Sequence, residues 1–214
     1  MKNLIFIGMT GSGIKGIAKS AAEILGKKYV DTDDVLVRNI GMPLIDIYTL
    51  IPINSFNELV FRLGKQLSES EDYVIALGDS ILTNPDAFAA VSSTGFTVYI
   101  DRDIDDVIKN CDEDGHPLLL RGRERLIPLY NERKELFKSA DVSVPYSQDA
   151  AKSAVSLFKA HLESVTSGSN ALDENTRALR ELIIKRIKLL HPSPDTDVGA
   201  LAERCIKGID LMCE

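Results

Sequence analysis

A glycine-rich turn, Gly8-Met9-Thr10-Gly11-Ser12-Gly13-Ile14-Lys15-Gly16, follows the apolar run Leu4-Ile5-Phe6-Ile7. Ile17, Ala18, Ala21, Ala22 and Leu25 then recur at helical spacing until Gly26. A strand, a glycine turn and a helix in that order can bind an anion, because backbone N–H groups and the helix dipole converge on one point. Gly8 and Gly13 keep the separation of the phosphate-loop pattern GxxxxGK[ST]. The pattern then supplies a lysine for the β- and γ-phosphates and a hydroxyl for Mg²⁺. Ile14 and Lys15 stand in those two places, followed by Gly16. Ile14 offers neither charge nor ligand, and Lys15 offers its charge one residue late. The frame predicts a phosphate cradle with half its chemistry replaced; the alternative is a tight βα turn that binds nothing.

Carboxylates come next. Tyr29-Val30 leads into Asp31-Thr32-Asp33-Asp34, an acidic cluster at the end of a strand pattern. On its own this reads as a solvated turn. Arg133 lies in a helical stretch beside Glu132 and Glu135, either of which could pair with it at little gain. Arg121, Arg123 and Arg125 form a local basic patch in the charged, glycine-bearing stretch 112–125. Cys111, Cys205 and Cys213 show no metal-ligand spacing, so a zinc site is not expected, and so sparse a set suits a reducing, cytoplasmic setting. No Ser-His-Asp or Cys-His arrangement is supported; His161 and His191 read as surface or packing residues.

Elements to position these groups follow from periodicity. Buried strands are expected at Leu4–Ile7, Tyr73–Leu77, Phe96–Ile100 and Val142–Val144, with Tyr29-Val30 as another. Helices are expected in the stretch after the acidic cluster through Ile40, stopped by Gly41, and from Phe56 to Leu67, Asp103 to Cys111, Leu126 to Ser139 and Ala150 to Leu162. Alternating strands and helices predict an α/β domain over 1–164 with a central parallel sheet. The polar stretch 165–170 reads as a linker. Residues 171–214 read as a helical hairpin, broken by Pro192 and Pro194, that must pack on the first domain or on a second copy as a homodimer. A net charge of −7 disfavours nucleic acid as a partner, and no apolar run approaches membrane-spanning length. The opening residues read as a buried strand rather than a signal sequence.

Taken together, these residues resemble the shikimate kinases from Met1 to about Leu162. The resemblance rests on Phe6 to Gly13, on Asp31-Thr32-Asp33 with Gly41 and Phe56 downstream, on Pro117-Leu118-Leu119, and on Tyr130, Arg133, Leu136, Phe137, Ala140 and Asp141. It implies a three-layer P-loop kinase fold and phosphoryl transfer from ATP, with Mg²⁺, to the 3-hydroxyl of shikimate or a similar small polyol. By the same resemblance, Gly8, Gly11, Ser12, Gly13, Lys15 and Gly16 would hold the nucleotide, with Lys15 the replacement catalytic cation. Lys109 would stand where an adenine-stacking arginine usually does, and Asp31 near the metal. Asp33 would activate the attacking hydroxyl, while Arg133 and Gly78 would meet the substrate.

Departures from the family pattern cluster at the same places. Asn57 replaces a substrate-binding arginine, Val60 an acidic residue, His116 the lid arginine, and Gly78-Asp79-Ser80 a run of three glycines. Removing a charge-stabilising group from such a site commonly costs ~10²-fold in rate. Three readings follow: a working kinase, a non-catalytic binding or regulatory module on the kinase fold, and a kinase for a less acidic hydroxyl compound. A faint likeness of 171–214 to helical chorismate mutases completes the set.

Overall fold

A computed structural model of the chain describes residues 3–111, 116–119 and 122–165. The chain divides into two compact units, Met1–Lys159 and Ala160–Glu214. Of the second, only residues 160–165 are described, so the expected hairpin at 171–214 lies outside the described residues, as does the expected linker apart from the helical Val165.

Five strands form one parallel sheet: β1 (Asn3–Ile7), β2 (Lys28–Asp31), β3 (Tyr73–Ala76), β4 (Gly95–Asp101) and β5 (Val142–Pro145), in the order β2-β3-β1-β4-β5. Helices cover both faces. Burial on both sides explains why β1 reads as an unbroken apolar run: Leu4, Ile5, Phe6 and Ile7 are all fully buried, as are Val74, Ile75, Val98 and Ile100.

The first helix, α1 (Ile14–Leu25), buries Ile14, Ala18, Ala21 and Ala22. It ends where Gly26 adopts a left-handed φ of 63°, letting the Lys27 N–H return to the Ala22 carbonyl at 3.0 Å. Then come α2 (Thr32–Ile40), α3 (Leu44–Leu50), α4 (Ile53–Ser68), α5 (Asp79–Leu82), α6 (Pro85–Ser92), α7 (Ile104–Asn110), α8 (Leu126–Lys138) and α9 (150–165). Periodicity does not announce α3, α5 or α6. The starts of α3 and α6 are written in local chemistry instead: Pro43 precedes α3, and Asn84 caps α6 by accepting the Ala87 N–H at 3.0 Å, with Pro85 in the first turn. Pro52 likewise precedes α4, which begins at Ile53, three residues before the expected Phe56, and the Pro52 carbonyl takes the Phe56 N–H at 2.9 Å.

Because β2 and β3 lie on one side of β1 and β4 and β5 on the other, the strand order reverses around β1. Ligand crevices of open α/β sheets form at the carboxyl ends of strands at such a reversal. The glycine turn, the Asp31 cluster and Gly78-Asp79 all emerge there.

Asp141 fastens β5 to β4. Its carboxylate accepts both the Thr97 N–H and the Thr97 hydroxyl at 2.7 Å, and its own N–H donates to that hydroxyl oxygen at 2.9 Å. The Ala-Asp step singled out in the sequence is therefore a structural clamp. Asp141→Ala leaves an internal strand N–H unpaired and is expected to lower stability by about 1–3 kcal/mol, read from urea denaturation.

Candidate active site

The glycine turn holds its shape through backbone geometry that side chains would spoil. Gly11 and Gly13 have φ of 81° and 87°. A Cβ on Gly11 would fall 2.6 Å from the Cys111 Cβ, and one on Gly8 2.7 Å from the Ser12 hydroxyl. The Ser12 N–H closes the turn onto the Met9 carbonyl at 2.9 Å. No side chain caps the N-terminus of α1. A turn and an uncapped helix start of this kind suit a phosphate group. Tyr146, just past β5, packs its ring against Gly13, and Arg102 stacks on that ring with its guanidinium carbon 4.0 Å from the centroid.

Ile14 is the first residue of α1 and is buried, so it is built into the helix rather than looped out. Lys15 consequently projects sideways. Its Nζ lies 2.9 Å from Asp31 Oδ2 and 3.4 Å from Asp34 Oδ1. Burial opposes its charge, but the hydrogen bond and charge of Asp31, with Asp34 and Asp33 behind, lift its pKa well above the ordinary lysine value.

Asp31 serves twice over. Its other oxygen, Oδ1, accepts the Asp33 and Asp34 N–H groups at 2.9 and 3.1 Å, capping α2. The residue types do not fit Mg²⁺ here. The loop position that supplies a hydroxyl to the metal carries an ammonium, and that ammonium sits on the free oxygen of Asp31.

At the heart of the cavity is Asp79, the first residue of α5. Arg133 Nη1 donates to its Oδ1, and the Thr10 hydroxyl donates to its Oδ2. Arg133 belongs to the buried stripe of α8, with Leu126 and Phe137, and Phe137 stacks on Tyr99 of β4 at 4.8 Å. That stack sets the helix so that the guanidinium must enter the interior and find an anion. Its partner is Asp79, not Glu132 or Glu135. His116 Nε2 lies 3.4 Å from Asp79 Oδ2, while the Leu118 N–H donates to Nδ1 at 3.4 Å. In the neutral ring the proton therefore sits on Nε2, facing Asp79. Burial lowers the His116 pKa, against the pull of Asp79.

Asp33 is buried beside Asp79 and accepts the Ser80 hydroxyl, with the Ser80 N–H at 3.4 Å. Its carboxyl is packed onto Gly78, where a Cβ would come within 2.1 Å of it, so only glycine fits. Burial, and secondarily the charge of Asp79, push Asp33 up to about 6. Asp33, Asp79 and His116 offer ligand atoms within 4.8 Å of one another. With Arg133 and Thr10 on Asp79 and a proton on Nε2, they form a hydrogen-bonded set rather than an open cation site.

Gly8, Gly11, Gly13, Lys15, Asp33, Gly78, Asp79 and His116 thus line one cavity of about 310 Å³ with Thr10 and Asn110. Lys109 is exposed in the last turn of α7 and does not line it, whereas its neighbour Asn110 does. Arg123 turns away to the Ile108 and Lys109 carbonyls, and Arg121 lies outside the described residues. No spacing in the sequence marks Thr10 or Ser80; they matter as hydroxyl donors to two buried carboxylates, a partnership only the tertiary fold creates.

Sheet order, glycine turn and the site at the strand-order reversal define the P-loop kinase class. Within it, the shikimate kinase model matches residues 10–163, and the chain belongs to the shikimate kinase family. Shikimate kinase of Persephonella marina is 26% identical over 145 residues, covering 67% of this chain and 88% of that protein. Shikimate kinase from Aquifex aeolicus superposes with a TM-score of 0.63 at 26% identity, covering 77% of this chain and 98% of that one. The enzyme from Acinetobacter baumannii, solved in complex with shikimate, has a TM-score of 0.66 at 21% identity and covers 78% and 94%. Among the described residues, no helix is long and apolar enough to cross a membrane.

The raised Asp33 pKa has a definite sign. A carboxyl whose folded pKa exceeds its unfolded one contributes stability below the unfolded value of 3.8, and loses it as pH rises through about 6. Asp33→Asn removes that dependence. The variant is expected to gain stability over the parent by roughly 2–3 kcal/mol between pH 4 and pH 7, read from denaturation curves at each pH.

Proposed function

We propose that this chain keeps the ligand cavity of the shikimate kinases but transfers phosphoryl groups weakly or not at all. In the family reaction ATP donates a phosphoryl group to the 3-hydroxyl of shikimate. One observation carries the reading: the sole lysine of the glycine turn has its ammonium on Asp31, while a buried isoleucine occupies the preceding position. Phosphoryl transfer depends on positioned cations around the moving group, since little covalent chemistry falls to the protein. Here those cations serve the protein's own carboxylates.

Some of the machinery is retained. The backbone at Gly8, Gly11, Ser12, Gly13 and Gly16 would cradle nucleotide phosphates, with the exposed Lys109 towards the base. Asp33, near 6, is mostly ionised at neutral pH and is matched to accept a proton from a substrate hydroxyl. The acid–base half of the site therefore survives while its electrostatic half is spent internally. No step is assigned to Mg²⁺, because Lys15 competes for the carboxylate that would receive it. A kinase for another small hydroxyl compound is the second reading, favoured by the carboxylate of Asp79 on the cavity wall.

A coupled assay of the full chain with ATP, Mg²⁺ and shikimate is expected to give turnover at least ~10²-fold below a family enzyme measured beside it. Comparable turnover would overturn the proposal, and turnover confined to a panel of neutral polyols would favour the second reading. The double swap Ile14→Lys with Lys15→Ser is expected to raise Mg²⁺-dependent ATP affinity by about tenfold or more in calorimetry.

A further inference from the structure

Arg133 and Asp79 are each about 95% buried, with side-chain exposures of 5% and 5%, and they face each other beside the cavity. A guanidinium is a fork built to hold an anion through two parallel N–H groups. Here Nη1 is on Asp79 Oδ1, while Nη2 is buried with no hydrogen-bond partner among the described residues. One arm of a buried fork is thus filled by the chain and the other left open. Asp79 Oδ2 in turn takes the Thr10 hydroxyl and faces His116 Nε2.

The consequence for a ligand is electrostatic. The cavity wall carries two buried carboxylates, Asp33 and Asp79. Lys15 faces Asp31, Arg133 faces Asp79, and burial holds His116 towards neutrality. An incoming carboxylate would meet like charge on the wall, while the neighbouring cations Lys15 and Arg133 are already engaged by Asp31 and Asp79, and burying such a group poorly paired is heavily unfavourable. A neutral compound carrying several hydroxyls avoids that repulsion, and its hydroxyls can donate to the remaining lone pairs of Asp33 and Asp79.

We propose that Asp79 is a specificity-determining residue: its carboxylate stands in for an anionic ligand on Arg133, so the cavity accepts neutral polyhydroxy compounds and rejects their carboxylate counterparts. This rests on the cavity being the ligand site of the proposed function. It concerns binding alone and stands whether or not phosphoryl transfer occurs.

Shikimate and its methyl ester differ only in whether the carboxylate is masked, so they isolate the charge. In calorimetric titration of the full chain, the wild type is expected to bind the ester at least about fivefold more tightly than the acid. Asp79→Ala frees both arms of Arg133 and is expected to reverse the order, raising affinity for the acid about tenfold or more. Asp79→Asn removes the charge while keeping the Thr10 contact. It serves if the alanine variant fails to fold by circular dichroism, with a shift in the same direction. Equal binding of acid and ester by the wild type, no binding of either, or no gain for the acid in the folded variant would each overturn the proposal. Absence of turnover in the same preparations would bear only on catalysis.

Discussion

Three carboxylates are buried where β2 and β3 end, and the chemistry of this molecule turns on how each is made tolerable. An isolated buried charge is worth several kcal/mol of instability, so it must gain a counter-ion, donors or a proton. Asp31 takes the amides of α2 and the ammonium of Lys15. Asp79 takes a guanidinium and a hydroxyl. Asp33, last in the queue for cations, holds its proton more tightly and leans on Ser80. The three solutions are linked, because the charge on Asp79 is part of what raises Asp33.

On the proposed reading, this arrangement separates the fold from the reaction its family performs. In a site that moves phosphoryl groups, cations point at the ligand and wait; here Lys15 and Arg133 point at the protein's own carboxylates, Asp31 and Asp79. Nothing in the packing of the sheet requires that choice. β1 and its neighbours are filled largely by apolar side chains whose burial is indifferent to the charges at their ends. A fold can therefore persist intact while the groups at its mouth are reassigned.

The sheet was legible because its strands are short apolar runs bounded by glycine and aspartate, and α1, α2 and α8 because they carry clear periodic faces or stops. What periodicity missed, α3, α5 and α6, are short helices: α3 is set by Pro43 and α6 by Asn84 and Pro85, while α5 is a single turn that follows Gly78 with no side-chain cap. The site was legible by type and not by partner. The glycine turn, Asp31, Asp33, Gly78 and Arg133 could all be named from the sequence. That Arg133 would meet Asp79 could not, since the two stand 54 residues apart and are joined only when α8 docks on β4 through Phe137 and Tyr99. Glu132 and Glu135, nearer along the chain, point elsewhere on the helix surface.

The open margins of the sheet carry a quieter consequence. β2 and β5, its two outermost strands, are only four residues each. β5 finishes on Pro145, which has no N–H to offer, and β2 begins on the exposed Lys28. A foreign strand arriving at either border finds few rungs to pair with and a charge or a ring in the way. Among the described residues neither margin is extended by a further strand, and borders so short and blunted disfavour strand-to-strand addition by another copy.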